Sequence, residues 1–387
     1  MPCIDNGTGM RRGVVVGTVA ALLGLGLAAC AEPEPTAEPP AAALSTAATS
    51  TATPSDAGAT STPDSPVTLA FGGDVHFEGR VADLLSTPDG LAALRPVLGG
   101  ADVAVVNLET AITDRGVEQP KVYHFRTTPQ ALVTLRQAGV DAVSMANNHA
   151  VDYGPDGLTD TLAAQASSPI PVVGIGSNAE KAFAPAVFDV RGTKVAVLAS
   201  SQVNDFTVHS FPATDARAGI AGNLDNTRLL AAVRAARAAS DVVVVYVHWG
   251  TDYTTCPDAA QTSTAAALAK AGADVVVGGH AHRVQGAGWL GRAYVGYGLG
   301  NFVWLNTRGP ADTVSGVLTV NVDPVKARTL RRTTAPDGAP SIVTGATWTP
   351  LIVGNDGVPR PPVASEAASL QAAWAQARTC ARLAAAP

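Results

Sequence analysis

Gly272-Ala273-Asp274-Val275-Val276-Val277-Gly278-Gly279-His280-Ala281-His282 sets a run of valines shortly before a pair of histidines. Its valines run without polar alternation, the pattern of a strand covered on both faces. The run stops at two glycines, and two histidines follow. A buried strand ending in metal-ligand side chains suits an α/β protein whose site lies beyond the carboxyl ends of its strands. The same layout recurs elsewhere. Val67–Phe71 leads into Gly73-Asp74-Val75-His76, and Asp102–Val106 leads into Asn107-Leu108-Glu109. Ala142–Met145 leads into Asn147-Asn148-His149 with Asp152 following, and Val242–Val247 leads into His248-Trp249-Gly250.

Val195–Leu198 and Tyr294–Val295 read as further buried strands. Helical patterns at Gln130–Ala138, Asn226–Ala239 and Ala259–Ala271 lie between the strands. Gly139 and Gly272 follow two of them, where a left-handed C-terminal cap favours glycine. This alternation predicts an α/β fold, a layered sheet core flanked by helices. After Asn301, Val317–Val322 and Ser341–Thr344 predict antiparallel strands. Ser365–Ala385, with Leu370, Trp374, Ala377 and Cys380 at helical spacing, predicts a terminal helix docked on the core. No internal repeat stands out.

The amino end reads as an export signal. Met10-Arg11-Arg12 is basic, Val14–Ala29 is apolar or small, and the stretch is short for a membrane span. Leu27-Ala28-Ala29-Cys30 has the form of a bacterial lipobox, so residues 1–29 are expected to be removed and Cys30 lipidated. The basic start at Met10 leaves Met1 or Met10 as the start. Residues 30–66 are Ala, Pro, Thr and Ser with a few acids, a composition that suits a disordered tether. The patterned domain is expected over 67–363, with the helix over 364–387. The expected location is the cell membrane, lipid-anchored, on its extracytoplasmic face.

The net charge of −6 comes without a basic stripe, which excludes a nucleic-acid partner on electrostatic grounds. Setting aside Cys3 and Cys30 leaves Cys256 and Cys380, either a disulfide in an oxidising compartment or two buried thiols.

Each polar cluster alone is weak, because Asp-x-His and Asn-Asn-His occur by chance. Their order along the chain is more specific. It resembles the metallophosphoesterase superfamily, where Asp-x-His, an acid after the second strand, Asn-His, a solitary His and Gly-His-x-His supply the ligands. The resemblance implies a metallophosphoesterase-like core and two divalent metal ions, Mn, Fe or Zn, which accept mixed carboxylate, imidazole and amide ligands. Paired ions suit phosphoryl displacement, since they stabilise both attacking and leaving oxygens. Asp74, His76 and His282 would hold one ion, Asn148, His248 and His280 the other, and Glu109 would bridge. His149 would act on the leaving oxygen, oriented by Asp152.

The wording is closer still to the CapA family of capsule and poly-gamma-glutamate synthesis proteins. The matching phrases are Gly73-Asp74, Asn107-Leu108-Glu109, Ala146-Asn147-Asn148-His149 with Asp152-Tyr153-Gly154, and His248-Trp249-Gly250. Gly272–Val276, His280-Ala281-His282 with Gln285, and Tyr297–Phe302 complete them. The resemblance implies an extracytoplasmic, membrane-anchored protein that works on an anionic surface polymer or its precursor, as part of a membrane synthesis complex or alone. Glu109 in place of the usual Asp, and Asn-Asn-His in place of Gly-Asn-His, are CapA-like and depart from the hydrolase pattern. His76 is a ligand that CapA proteins do not require.

Arg126 and Arg283 are candidates for receiving a substrate phosphate or carboxylate, with a surface salt bridge as the plain alternative. Tyr253 and Trp249 either wall the site or pack beside a strand, and Asn301 is placed to fix loop geometry. Three rival readings remain. They are a generic extracellular phosphodiesterase or nucleotidase, a non-catalytic scaffold, and a periplasmic binding protein, whose lobe-spread hydrogen-bonding set this pattern lacks.

Overall fold

The computed structural model describes residues 62–305, 309–331 and 339–387. The expected signal, Cys30 and most of the tether lie outside them.

Fourteen labelled strands build two sheets. In chain order they are β1 (Val67–Val75), β2 (Val103–Leu108), β3 (Ala142–Ser144), β4 (Val172–Val173), β5 (Ala186–Val190), β6 (Thr193–Ser201) and β7 (Val242–Trp249). Then come β8 (Val275–His280), β9 (Ala287–Leu290), β10 (Ala293–Gly296), β11 (Asn301–Val303), β12 (Val314–Val322), β13 (Val343–Val353) and β14 (Pro359–Arg360). The labelled helices are α1 (Gln130–Gln137), α2 (Gly154–Ala166), α3 (Phe206–Ser210), α4 (Thr227–Ala239), α5 (Ala259–Ala271) and α6 (Ala364–Cys380).

The first sheet has the order β14-β13-β12-β1-β2-β3-β4, with β11 also pairing β1. The second has the order β9-β10-β8-β7-β6-β5. Strands β1 to β4 are parallel, as are β6, β7, β8 and β10. Strands β12 to β14 are antiparallel, as expected for the carboxyl-terminal part.

Strand alternation explains the layers. Leu69, Phe71, Val103 and Val105 pack with the valines of β6, β7 and β8 in one core. Their neighbours Ala70, Ala104 and Val106 face the other way, onto Leu132 and Leu135 of α1 and Leu158 of α2. Helices α4 and α5 cover the second sheet through Leu229, Val233 and Leu268. The expected α/β layered core flanked by helices is present.

One device repeats at the amino edge of both sheets. Asp102, Asp141, Asp241 and Asp274 each stand just before a parallel strand, and each accepts an amide N–H from the strand before it. The donors are Thr68 at 2.8 Å, Ala104 at 2.9 Å, Lys194 at 2.8 Å and Val243 at 2.8 Å. Each aspartate amide also donates to that same residue's carbonyl. Paired bonds of this kind pin the register at one end and leave the carboxyl ends level at the other, where the site lies.

Two stretches differ from the sequence expectation. Strand β13 runs to Val353, past the expected Thr344, even though it contains Pro350. That proline pairs with Gly316 in the ladder. Helix α6 ends at Cys380, short of the expected Ala385, because Ala384 exchanges backbone hydrogen bonds with Trp289 at 2.9 Å. The helix docks through Trp374, stacked on Trp348 with centroids 5.6 Å apart. A disulfide joins Cys380 to Cys256, with Cα atoms 5.7 Å apart.

Candidate metal centre

The ends of β1, β2, β7 and β8, with the turn after β3, converge. Asp74 on β1 stands in register with Asn107 on β2, and Trp249 on β7 with His280 on β8. Two glycines permit this closeness. A Cβ on Gly73 would lie 1.9 Å from the Gly300 carbonyl oxygen, and one on Gly279 would lie 2.2 Å from Asp74 Oδ1. His280 and His282 hold φ values of 87° and 50°, a region costly for residues with a β-carbon and often found at functional sites.

Two ligand groups share one residue. Glu109, His248 and His280 each offer one ligand atom within 4.8 Å of the others, and so do Asp74, Glu109 and His282. Glu109 therefore stands between them. Asn148 reaches His248 from the other sheet, its Oδ1 lying 2.7 Å from Nε2.

The donor set fits divalent ions. Glu109 is fully buried, and neither of its carboxylate oxygens has a hydrogen-bond partner among the described residues. Burial, reinforced by the charge of Asp74, pushes its pKa well up. A buried carboxylate without donors is costly unless a cation compensates it. Burial also lowers the pKa of His248 to about 4 and that of His280 well below its usual value. Both rings are thus neutral at ordinary pH, the form that binds metal.

Asparagines hold the ligands in place. Asn107 donates to Asp74 Oδ1 at 2.8 Å and faces His248 Nδ1 at 3.2 Å. Asn147 donates to Asn107 Oδ1 at 3.1 Å and to the Leu108 carbonyl at 2.8 Å. The first asparagine of Asn-Asn-His is thus structural and the second faces the site. Asn301 Oδ1 lies 2.8 Å from His282 Nδ1, so it fixes that ring.

His149 stands beside the ligands. Its Nδ1 lies 2.6 Å from Asp152 Oδ2, and its Nε2 lies 3.9 Å from Glu109. Asp152 also accepts from the Phe125 amide at 2.7 Å and pairs with Lys121 at 2.8 Å. Burial raises the Asp152 pKa to about 6 against the opposing pull of Lys121. Burial and Lys121 together keep His149 well below the usual histidine range.

Asn148, His149, His280 and His282 line a cleft of about 330 Å³. His76, expected among the first ion's ligands, lines that cleft but belongs to neither ligand group. Its ring stacks on Phe125 with centroids 4.6 Å apart, the Glu78 amide donates to its Nδ1 at 3.0 Å, and the Leu305 amide lies 3.3 Å from Nε2.

The two candidate arginines lie off the cleft lining. Arg126 is exposed and sits 4.9 Å over the Tyr153 ring. Arg283 pairs with the buried Asp312 and covers Tyr253 at 5.0 Å. Tyr253 lines the cleft, whereas Trp249 is buried and donates to the Tyr297 carbonyl at 2.7 Å. The sequence reading missed Lys121 and Asp252, both of which line the cleft from irregular loops. No periodicity or motif marks either.

The family described as "Bacterial capsule synthesis protein PGA_cap" matches residues 68–305. The "PGA biosynthesis protein CapA" of Bacillus subtilis (strain 168) is 29% identical over 272 residues, 66% of this chain and 70% of that protein. The "Capsule biosynthesis protein CapA" of Bacillus anthracis is 27% identical over 261 residues, 63% of this chain and 62% of that protein. Among solved structures, a novel phosphatase from Mycoplasma pneumoniae is similar with a TM-score of 0.46 and 13% identity, covering 77% of this chain and 95% of that one. The match over residues 68–305 contains every proposed metal ligand, and the chain belongs to the bacterial capsule synthesis protein family.

Proposed function

We propose that this capsule-synthesis-related protein is a metal-dependent hydrolase acting on an anionic surface polymer or its precursor. The observation that carries the reading is Glu109, buried without a donor between two groups of imidazole and carboxylate ligands. Asp74 and His282 would hold one ion and His248, His280 and Asn148 the other, with Glu109 within reach of both. When bound, such ions supply Lewis acidity to a substrate oxygen. His149, held at Nδ1 by Asp152 and kept neutral by burial, has an unprotonated Nε2 that would take the proton of the attacking water and pass it to the departing oxygen or nitrogen. Lys121 balances Asp152 and so keeps that pair in place. The scissile bond on this reading is a phosphoester or an amide of the polymer.

The protein works on the extracytoplasmic face, lipidated at Cys30 and spaced from the membrane by residues 31–66. The Cys256–Cys380 bridge supports an oxidising compartment. The test is elemental analysis of the chain purified without chelators or a polyhistidine tag, beside Glu109→Gln. Close to two equivalents of Mn, Fe or Zn, lost in the variant, is the expected result. Less than about a tenth of an equivalent after metal reloading would move the function to a scaffold, since a site built on a bare buried carboxylate should fill readily.

A further inference from the structure

The loop of residues 250–258 leaves β7 for α5 and walls the cleft with Asp252 and Tyr253. His280 faces two ways. Its Nδ1 is buried with no hydrogen-bond partner among the described residues, and its Nε2 lies 3.3 Å from Asp252 Oδ1. A ligating histidine usually gives its second ring N–H to a carboxylate or carbonyl, which fixes the tautomer and the ring. No buried charge requires Asp252 there, because its side chain is 51% exposed.

The loop is itself anchored. The Tyr253 amide donates to the Ala281 carbonyl at 2.8 Å, which ties it to the His-Ala-His turn. Gln285 donates to the Thr254 carbonyl at 3.0 Å and accepts from Gln261 at 2.9 Å. Two residues further on, Cys256 is bonded to Cys380 on α6. That helix lies beyond residue 305, outside the family match, yet it is fastened by the Trp374–Trp348 stack and by Arg378 donating to the Ala287 carbonyl at 2.9 Å.

We propose that Asp252 is a positioning residue for the His280 ligand, and that the Cys256–Cys380 bridge keeps it there by tying its loop to the C-terminal helix. The inference rests on the metal reading above. The carboxyl-terminal helix thereby becomes part of the metal centre's support without touching it.

The test is a double-mutant cycle on the full chain, read by Mn(II) titration calorimetry and by amide hydrogen exchange over 250–258. The variants are Asp252→Asn, Cys256→Ser/Cys380→Ser, and all three substitutions together. Asp252→Asn should weaken Mn(II) binding by about tenfold, the lower end for a lost outer partner. The bridge-free variant should bind Mn(II) more weakly too, and exchange in 250–258 should quicken. The triple variant should lose no more than Asp252→Asn alone, because both act through one contact. Losses that multiply in the triple variant, or Mn(II) affinity untouched by Asp252→Asn, overturn the inference. Should the bridge-free chain fail to fold, the half-exposed Asp252→Asn variant still decides it. Wild-type protein that takes up no Mn(II) brings down the metal reading itself, whereas normal uptake unaltered by the variants brings down this inference alone.

Discussion

His248 Nε2 lies 2.7 Å from Asn148 Oδ1, and through that contact a strand end of one sheet meets a turn of the other. Tyr246 repeats the crossing below it, its hydroxyl donating to the Gly72 carbonyl at 3.0 Å. Asp74 and Glu109 come from the first sheet, and His248 and His280 from the second. An ion held among them is therefore a clamp between sheets. Binding to the folded state alone raises stability by mass action.

Mn(II) or Zn(II) should accordingly raise the melting temperature of the chelated protein in a concentration-dependent way. At a hundredfold excess over Kd the gain is about 2.7 kcal/mol. His248→Ala should abolish most of the shift. Scanning calorimetry across a metal series checks this, and a wild-type melting temperature indifferent to metal would count against a centre spanning both sheets.

Glu109→Gln should separate stability from function. With metal removed, the raised pKa of Glu109 means that folding at neutral pH must take up a proton there, a cost that the glutamine isostere avoids. The chelated variant should thus unfold at higher urea than chelated wild type while binding far less metal. A chelated variant less stable than wild type would show that Glu109 has a compensating partner of its own.

Gly279→Ala tests how closely the sheets must approach. The added Cβ would fall 2.2 Å from Asp74 Oδ1, and Asp74 also accepts from the His280 amide at 2.8 Å. Asp74 cannot keep both that bond and its place, so metal content should fall severalfold. Elemental analysis reads the outcome, and full loading of a folded variant would refute it.

Much of this site was legible in the sequence because it lies on regular structure. Asp74, Glu109, Asn148, His248, His280 and His282 each end or follow a largely apolar run, and parallel strands bring such ends to one rim. What stayed hidden depends on tertiary placement. Lys121 and Asp252 reach the cleft from loops without periodicity, and the Asn107-Leu108-Glu109 phrase gives no sign that the Asn107 amide holds Asp74. His76 lines the same cleft, and its ring packs on Phe125 and Trp304, contacts that its spacing from Asp74 does not reveal.

The aspartates at the amino edge should differ sharply in what they contribute. Asp274 is fully buried, accepts from the Val243 amide and pairs with both Arg237 and Arg292. Asp274→Ala takes a fully buried carboxylate from two part-buried guanidinium groups and one amide, and should cost about 3 kcal/mol. Asp141 accepts one amide, and its contact with Arg136 is a long 3.9 Å at the surface. Asp141→Ala should cost about 1 kcal/mol, the worth of one hydrogen bond. Urea unfolding of the chelated protein separates the two, and equal costs would mean that the register bonds, not the arginine pairs, dominate at this edge.

Lipidation at Cys30 can be tested independently of the site. A diacylated cysteine adds enough buried methylene for stable anchoring, at about 0.8 kcal/mol each, whereas an ordinary cleaved signal leaves none. Wild-type protein should enter the detergent phase on Triton X-114 partition, and Cys30→Ala should move to the aqueous phase. The 31–66 segment has no large apolar residue after Leu44 to hold the membrane by itself. If Cys30→Ala stayed in the detergent phase, the anchor would have to lie in an uncleaved Val14–Ala29 stretch, and the spacer would begin from a spanning segment instead of a lipid.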